Sequence, residues 1–219
     1  MTCVLGVDGA RGGWVAVVVD TEDETGEDIA WLRFTTIDEA LALAVDVVAI
    51  DMPIGLPRTG RRECDLLAKR ALGAAHPRVF LAPPRDVLAA TTYGDAGTRH
   101  RAHADGLGLS VQTWNIVAKI REVDAVADDA RLVEVHPELS FARLADQVLA
   151  SKHGPDGRTV RLRALASRWP GLRDVPPGHD GLDALAAAWS GDRWLRRTAE
   201  SLPADPPRDD LGRPMRIVV

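Results

Sequence analysis

The chain has 219 residues, 46% hydrophobic and 27% charged, with a formal net charge of −5 at pH 7. That length supports a substantial core, and the acidity excludes a general nucleic-acid coat protein while leaving room for an enzyme with a local basic groove. No apolar run approaches the ~20 residues of a membrane span, no leader pattern opens the chain, and the two cysteines, Cys3 and Cys64, give neither a disulfide framework nor zinc spacing, so a reduced, cytoplasmic setting and no membrane partner are expected.

Val4 to Val7 and Trp14 to Val19 are β-branched runs joined by a glycine-rich connection, which predicts a hairpin. The first run ends on Asp8, and Gly9, Gly12 and Gly13 let the backbone turn sharply and approach a ligand. After an exposed acidic turn, Thr21 to Asp28, a third strand is predicted over Ile29 to Phe34. Thr36 and Glu39 have capping-box spacing and open a helix through about Ala44. The short apolar strand Val47 to Ile50 again ends on an acid, Asp51, before the proline-rich Met52 to Pro57.

From Arg61 to about Ala130 the pattern is a helical insertion, with helices over Arg62 to Leu72 and Ser110 to Val126, a proline-rich loop from His76 to Arg85, and a polar, mobile loop over Thr91 to Gly108. A strand follows over Arg131 to Val135, then a helix from Pro137 to about Leu149. An arginine-rich helix reaches Trp169, and after a linker another helix starts at Asp180. The tail over 203–219 is proline-rich, and Met215 to Val219 can add an edge strand.

These elements define an α/β fold: one domain with a mixed five-stranded sheet, three strands antiparallel and then two parallel, flanked by helices and interrupted by the insertion at 61–130. Sites in such sheets lie beyond the carboxyl ends of the parallel strands. Asp8, Asp51 and Glu134 come from neighbouring strands, and Asp180 and Asp183, three apart on one helix face, are brought alongside. So many carboxylates do not remain ionised together without cations, and hard Mg²⁺ or Mn²⁺ prefers oxygen ligands of this type. Two such ions ~4 Å apart activate a water and stabilise the leaving oxygen of a phosphodiester.

The segments Val4-Leu5-Gly6-Val7-Asp8-Gly9, Ala49-Ile50-Asp51 and Asp180-Gly181-Leu182-Asp183-Ala184-Leu185-Ala186 resemble the three acidic motifs of RNase H-like nucleases, and most closely those of RuvC-type Holliday-junction resolvases. The whole chain, from about Met1 to Arg197, resembles the family catalogued as domain of unknown function 429, regarded as predicted RNase H-fold nucleases. The resemblance is carried by Gly6-Val7-Asp8-Gly9 with Gly13-Trp14, Asp51 to Pro57, Arg62 to Arg70, Val79-Phe80 with Pro84-Arg85, Lys119 to Asp124, Glu134 to Glu138 and the Asp183 helix. His76-Pro77-Arg78 departs from it, where small hydroxyl residues are expected. It implies an RNase H-like sheet and metal-dependent cleavage of DNA or RNA. Asp8, Asp51 and Asp183 would hold the metal, Glu134 or Asp180 would supplement them, and Arg11, Arg62, Arg85 and Lys119 would contact substrate phosphates.

Plainer readings stand beside these. Asp8 can cap the glycine turn, Asp180 can be a helix N-cap, Glu134 can pair with an arginine of the insertion, and the insertion cations can be solvated or ion-paired. His136 is a turn residue or a general base. The six tryptophans fit a core better than a base-stacking platform, with Trp114 the one to examine. Two other function classes remain. An actin- or sugar-kinase-like ATPase uses a similar Asp-Gly turn but duplicates its domain, and no second such hairpin or Walker loop is present. A non-catalytic binding or scaffold protein would keep the fold alone.

Overall fold

The β-branched runs on either side of Arg11-Gly12 form an antiparallel hairpin, β1 (Cys3–Ala10) and β2 (Gly13–Asp20), in the computed structural model, which describes residues 2–219. Gly12, at φ +79°, carries the turn. Gly9 is a strand residue opposite Trp14 rather than part of that turn. β3 (Ala30–Phe34) pairs antiparallel with β2. α1 (Ile37–Leu41) is shorter than predicted, and its capping box is half made. The Thr36 side chain accepts no cap bond, while Glu39 accepts the Thr35 N–H at 2.8 Å. β4 (Val47–Ile50) runs parallel to β1, with Val7 opposite Ile50.

The chain then enters the second of two units. Met1–Met52, Arg131–Glu200 and Val218–Val219 make up the first, and Pro53–Ala130 with Ser201–Ile217 the second. The predicted insertion is thus the larger part of a unit that begins at Pro53 and takes in most of the tail. α2 (Glu63–Ala71) follows Arg62, whose buried guanidinium donates to Asp65 Oδ1 at 2.5 Å and to the Ile54 and Gly55 carbonyls. Short 3-10 helices occupy Gly73–Arg78 and Arg85–Ala89. The segment expected as a mobile loop is instead α3 (Tyr93–His103). Thr92 caps it by accepting the Asp95 N–H, Arg99 pairs with Asp95 one turn back and with Asp86, and Ala96 and His100 are buried. α4 (Val111–Val126) starts at a Ser110 cap. Arg85 joins Asp124 at 2.7 Å to Asp209 at 2.5 Å, and Arg213 adds bonds to Asp124 and Asp128.

Back in the first unit, β5 (Leu132–Glu134) completes the sheet in the order β3-β2-β1-β4-β5, three strands antiparallel and then two parallel pairings, as predicted. α5 (Pro137–Leu144), α6 (Gly157–Arg168) and α7 (Asp180–Leu195) follow, α5 ending well before Leu149. β6 (Ser201–Leu202) and β7 (Ile217–Val218) are two-residue strands. The expected edge strand reduces to one parallel bridge, Val218 to Val135.

α7 is the helix buried on the sheet, and small residues let it come close. A Cβ on Gly6 of β1 would lie 2.0 Å from the Ala184 carbonyl oxygen and 2.5 Å from the Ala188 nitrogen, and one on Gly191 would strike Val4 and Ala49. Strand and helix backbones therefore touch. Gly6→Val is expected to destabilise the fold by about 3 kcal/mol or more, since the clash is with main chain that no rotamer relieves; a urea-unfolding midpoint unchanged from wild type would refute this. No helix among the described residues is long and apolar enough to cross a membrane.

Candidate functional site

The close approach of β1 to α7 determines where the acids meet. Side chains two apart on a strand share a face, so Asp8 lies on the same face as Gly6, toward α7. Val7 faces Ile50 across the parallel ladder and accepts the Asp51 N–H at 3.0 Å, which places Asp51 beside Asp8 on that face. From the helix, Asp183 immediately precedes Ala184, the residue in contact with Gly6. Three elements thus deliver three carboxylates to one buried neighbourhood.

The electrostatics register this gathering. Burial, then the Asp51 and Asp183 charges, push the Asp8 carboxyl well above its usual range. Asp51 is pushed up to about 8 by burial and then by Asp183, with Glu134 and Glu138 adding to the rise. Burial also raises Asp183, against the lowering effect of Lys152. The Lys152 ammonium donates to Asp183 Oδ2 at 2.5 Å. Burial works to lower its pKa, but Asp183, Asp8 and Asp51 outweigh burial and hold it above that of an ordinary lysine. Asp183 Oδ1, also buried, has no hydrogen-bond partner. Among the described residues, no three His, Cys, Asp or Glu groups are gathered tightly enough to enclose a metal ion as they stand.

Comparison with known proteins adds one finding: the family described as Protein of unknown function (DUF429) matches residues 6–208. The chain belongs to this family. No curated protein and no solved structure matches it.

In this DUF429 protein the other candidate residues are distributed unevenly. Asp180 is the first residue of α7, after His179 at the cap position, so it is not the N-cap; its charge adds to the rise of Asp8. Glu134 is opposite Ile50, so strand alternation turns it to the sheet face away from Asp8 and Asp51, although its charge reaches Asp51. Arg11 is exposed in the hairpin turn. Arg62, Arg85 and Lys119 all lie in the second unit, where Arg62 and Arg85 are committed to aspartates. Trp114 packs against Tyr93, with ring centroids 6.2 Å apart, and Trp14 and Trp169 are core.

Sequence reasoning missed Lys152, Glu138 and Arg161. Arg161 of α6 is fully buried and donates to Glu138 Oε1 at 2.6 Å and to the Ala150 carbonyl at 3.0 Å, anchoring the segment that leads into Lys152. The only signal in the sequence is a lysine in a glycine-containing turn. Lys152→Met is expected to cost about 1–3 kcal/mol at pH 8, less than a fully buried pair because the ammonium is one-third exposed, and markedly less at pH 5, where Asp183 can take up a proton. Urea unfolding in EDTA at both pH values measures it; equal stability of variant and wild type at pH 8 would refute it.

Proposed function

We propose that the chain is a divalent-metal-dependent nuclease that hydrolyses a phosphodiester of DNA or RNA at the Asp8, Asp51 and Asp183 cluster. The observation that carries this reading is the grouping of three mutually repelling carboxylates, Asp8 and Asp183 buried and Asp51 partly so, around a single ammonium, with Asp183 Oδ1 left unpaired. An all-carboxylate donor set with an orphaned buried oxygen fits a hard cation such as Mg²⁺ or Mn²⁺. Asp8 and Asp51 would provide oxygens from the strand ends and Asp183 from the helix, with Asp180 at the same end of α7. A divalent ion bound there supplies an activated water and charge stabilisation for the leaving oxygen.

The protein's own groups have separate tasks. Lys152 holds one oxygen of Asp183, leaving the other without a hydrogen-bond partner, and its ammonium would offset negative charge on a phosphate bound at the cluster. The Asp8 carboxylate is held in turn by the Gly9 N–H at 2.7 Å. A cytoplasmic setting fits the free thiols of Cys3 and Cys64.

The test is Mn²⁺- and Mg²⁺-dependent cleavage of single-stranded, duplex, hybrid and four-way-junction DNA and RNA. Cleavage by wild type that EDTA abolishes is the expected result and identifies the substrate class. Absence of both cleavage and Mn²⁺ binding would overturn the reading in favour of a non-catalytic protein in which Lys152 is the resident counter-ion.

A further inference from the structure

The second unit contains a cavity of about 470 Å³, within the range of sites that hold small organic ligands. Its walls come from the segment before α2, the last turn of α2, the segment before the Arg85 turn, the end of α3 and the start of α4. Their chemistry is one-sided. None of the residues lining it is acidic, in a chain whose net charge is −5, whereas Arg61 and Lys69 both border it. The Arg61 and Gln112 side chains make no hydrogen bond or ion pair among the described residues. Phe80 and Leu107 leave 46% and 39% of their surface exposed beside these polar groups. An exposed aromatic ring facing solvent, an unused amide and an unpaired guanidinium together select a planar, hydrogen-bonding, anionic ligand.

We propose that this cavity binds one nucleotide unit, with its base against Phe80 and Leu107, its base edge at Gln112 and its phosphate at Arg61 and Lys69. An aromatic face stacks any base, an amide both donates to and accepts from a base edge, and arginine reads a phosphate with two N–H groups. The ligand chemistry is the same in a free mononucleotide and in a nucleotide of a single strand. The site uses none of the Asp8 cluster, so it stands or falls independently of the nuclease reading.

Calorimetry on the full chain in EDTA, which removes any metal-borne phosphate binding at the carboxylates, tests it with four kinds of probe: nucleoside 5′-monophosphates, the matching nucleosides, inorganic phosphate, and a short single-stranded DNA or RNA with a 5′-phosphate. Mononucleotide or strand should bind saturably, at least ~10-fold tighter than nucleoside or phosphate alone. Phe80→Ala and Arg61→Glu, both at exposed side chains, should each weaken that binding ~10-fold or more with unchanged unfolding midpoints. Equal affinity for mononucleotide and strand assigns the free nucleotide, and tighter binding of the strand assigns the polymer. No saturable binding of either, binding of phosphate as tight as that of nucleotide, or binding that both variants leave intact would overturn the proposal.

Discussion

In EDTA, the unfolding free energy of the wild-type chain is expected to fall as pH rises from 5 to 8, and Asp51→Asn to remove the share of that fall due to Asp51, leaving the share due to Asp8 and Asp183. The sign follows from proton binding. With the folded-state pKa of Asp51 near 8 and the unfolded value at 3.8, the native state holds a proton between these limits that the unfolded chain has released. Stability then decreases with pH across the window, its proton-linked part complete below 3.8 and gone above about 8. Each pKa unit is worth 1.36 kcal/mol, and with coupling to Asp8 and Asp183 and partial exposure of Asp51 a difference of about 3 kcal/mol between pH 5 and pH 8 is expected. Asp51→Asn should therefore be more stable than wild type at pH 8 by a similar amount, and saturating Mn²⁺ should close the gap by stabilising only the wild type. The opposite behaviour belongs to Asp209. Burial works to raise its pKa, but bonds from the Arg213 and Leu56 N–H groups and from Arg85 outweigh that and lower it, so its contribution is lost only as pH falls below the ordinary carboxylate range, outside this window. Urea titrations at pH 5, 6.5 and 8 decide the matter: a wild-type stability that is flat or rising over that range, with Asp51→Asn tracking it, refutes the expectation.

Asp183→Asn and Asp8→Asn are each expected to reduce Mn²⁺-dependent cleavage by ~10²-fold or more, since loss of an outer-shell partner alone costs about 10–100-fold. Asp180→Asn should cost less, about 10-fold or below, because Asp180 is partly exposed at the first residue of α7 and its charge raises Asp8 less than that of Asp51 or Asp183. Single-turnover rates with matched Mn²⁺ titrations separate weakened metal binding from a slowed chemical step. An Asp183→Asn variant that cleaves at the wild-type rate would remove the cluster from the chemistry.

The sheet was legible because its strands are short, apolar and bounded by glycine, proline or acids, so Val4 to Val7, Trp14 to Val19 and Val47 to Ile50 could hardly be read as anything else. Asp8, Asp51 and Asp183 were legible for the same reason, as charges interrupting sequences that are otherwise core. Glu134 had the same local signature, but its direction depends on register with Ile50, which no local pattern reveals. α3 was missed because Gly94 and Gly97 and a polar composition mask its helical cues, the Thr92 cap and the Asp95 to Arg99 pair. Arg62 has its partner three residues away, whereas Arg85 finds Asp124 and Asp209 across separations of 39 and 124 residues, beyond any windowed reading. Lys152 and Glu138 acquire their roles only from the charges that folding sets around them.

The interleaving of the two units has a consequence for how the protein is made. At ~5–20 residues per second, the 124 residues separating Arg85 from Asp209 correspond to roughly 6–25 s of ribosomal elongation. Throughout that interval Arg85 has emerged without the aspartate that completes its clasp. Asp8 waits longer still for Asp183, so the first hairpin leaves the ribosome with its carboxylate in water and ionised, and the burial that favours its proton comes only when α7 arrives. A nascent chain stalled before α7 therefore exposes the apolar sheet face that this helix covers, and that is the stage at which a chaperone has most to hold.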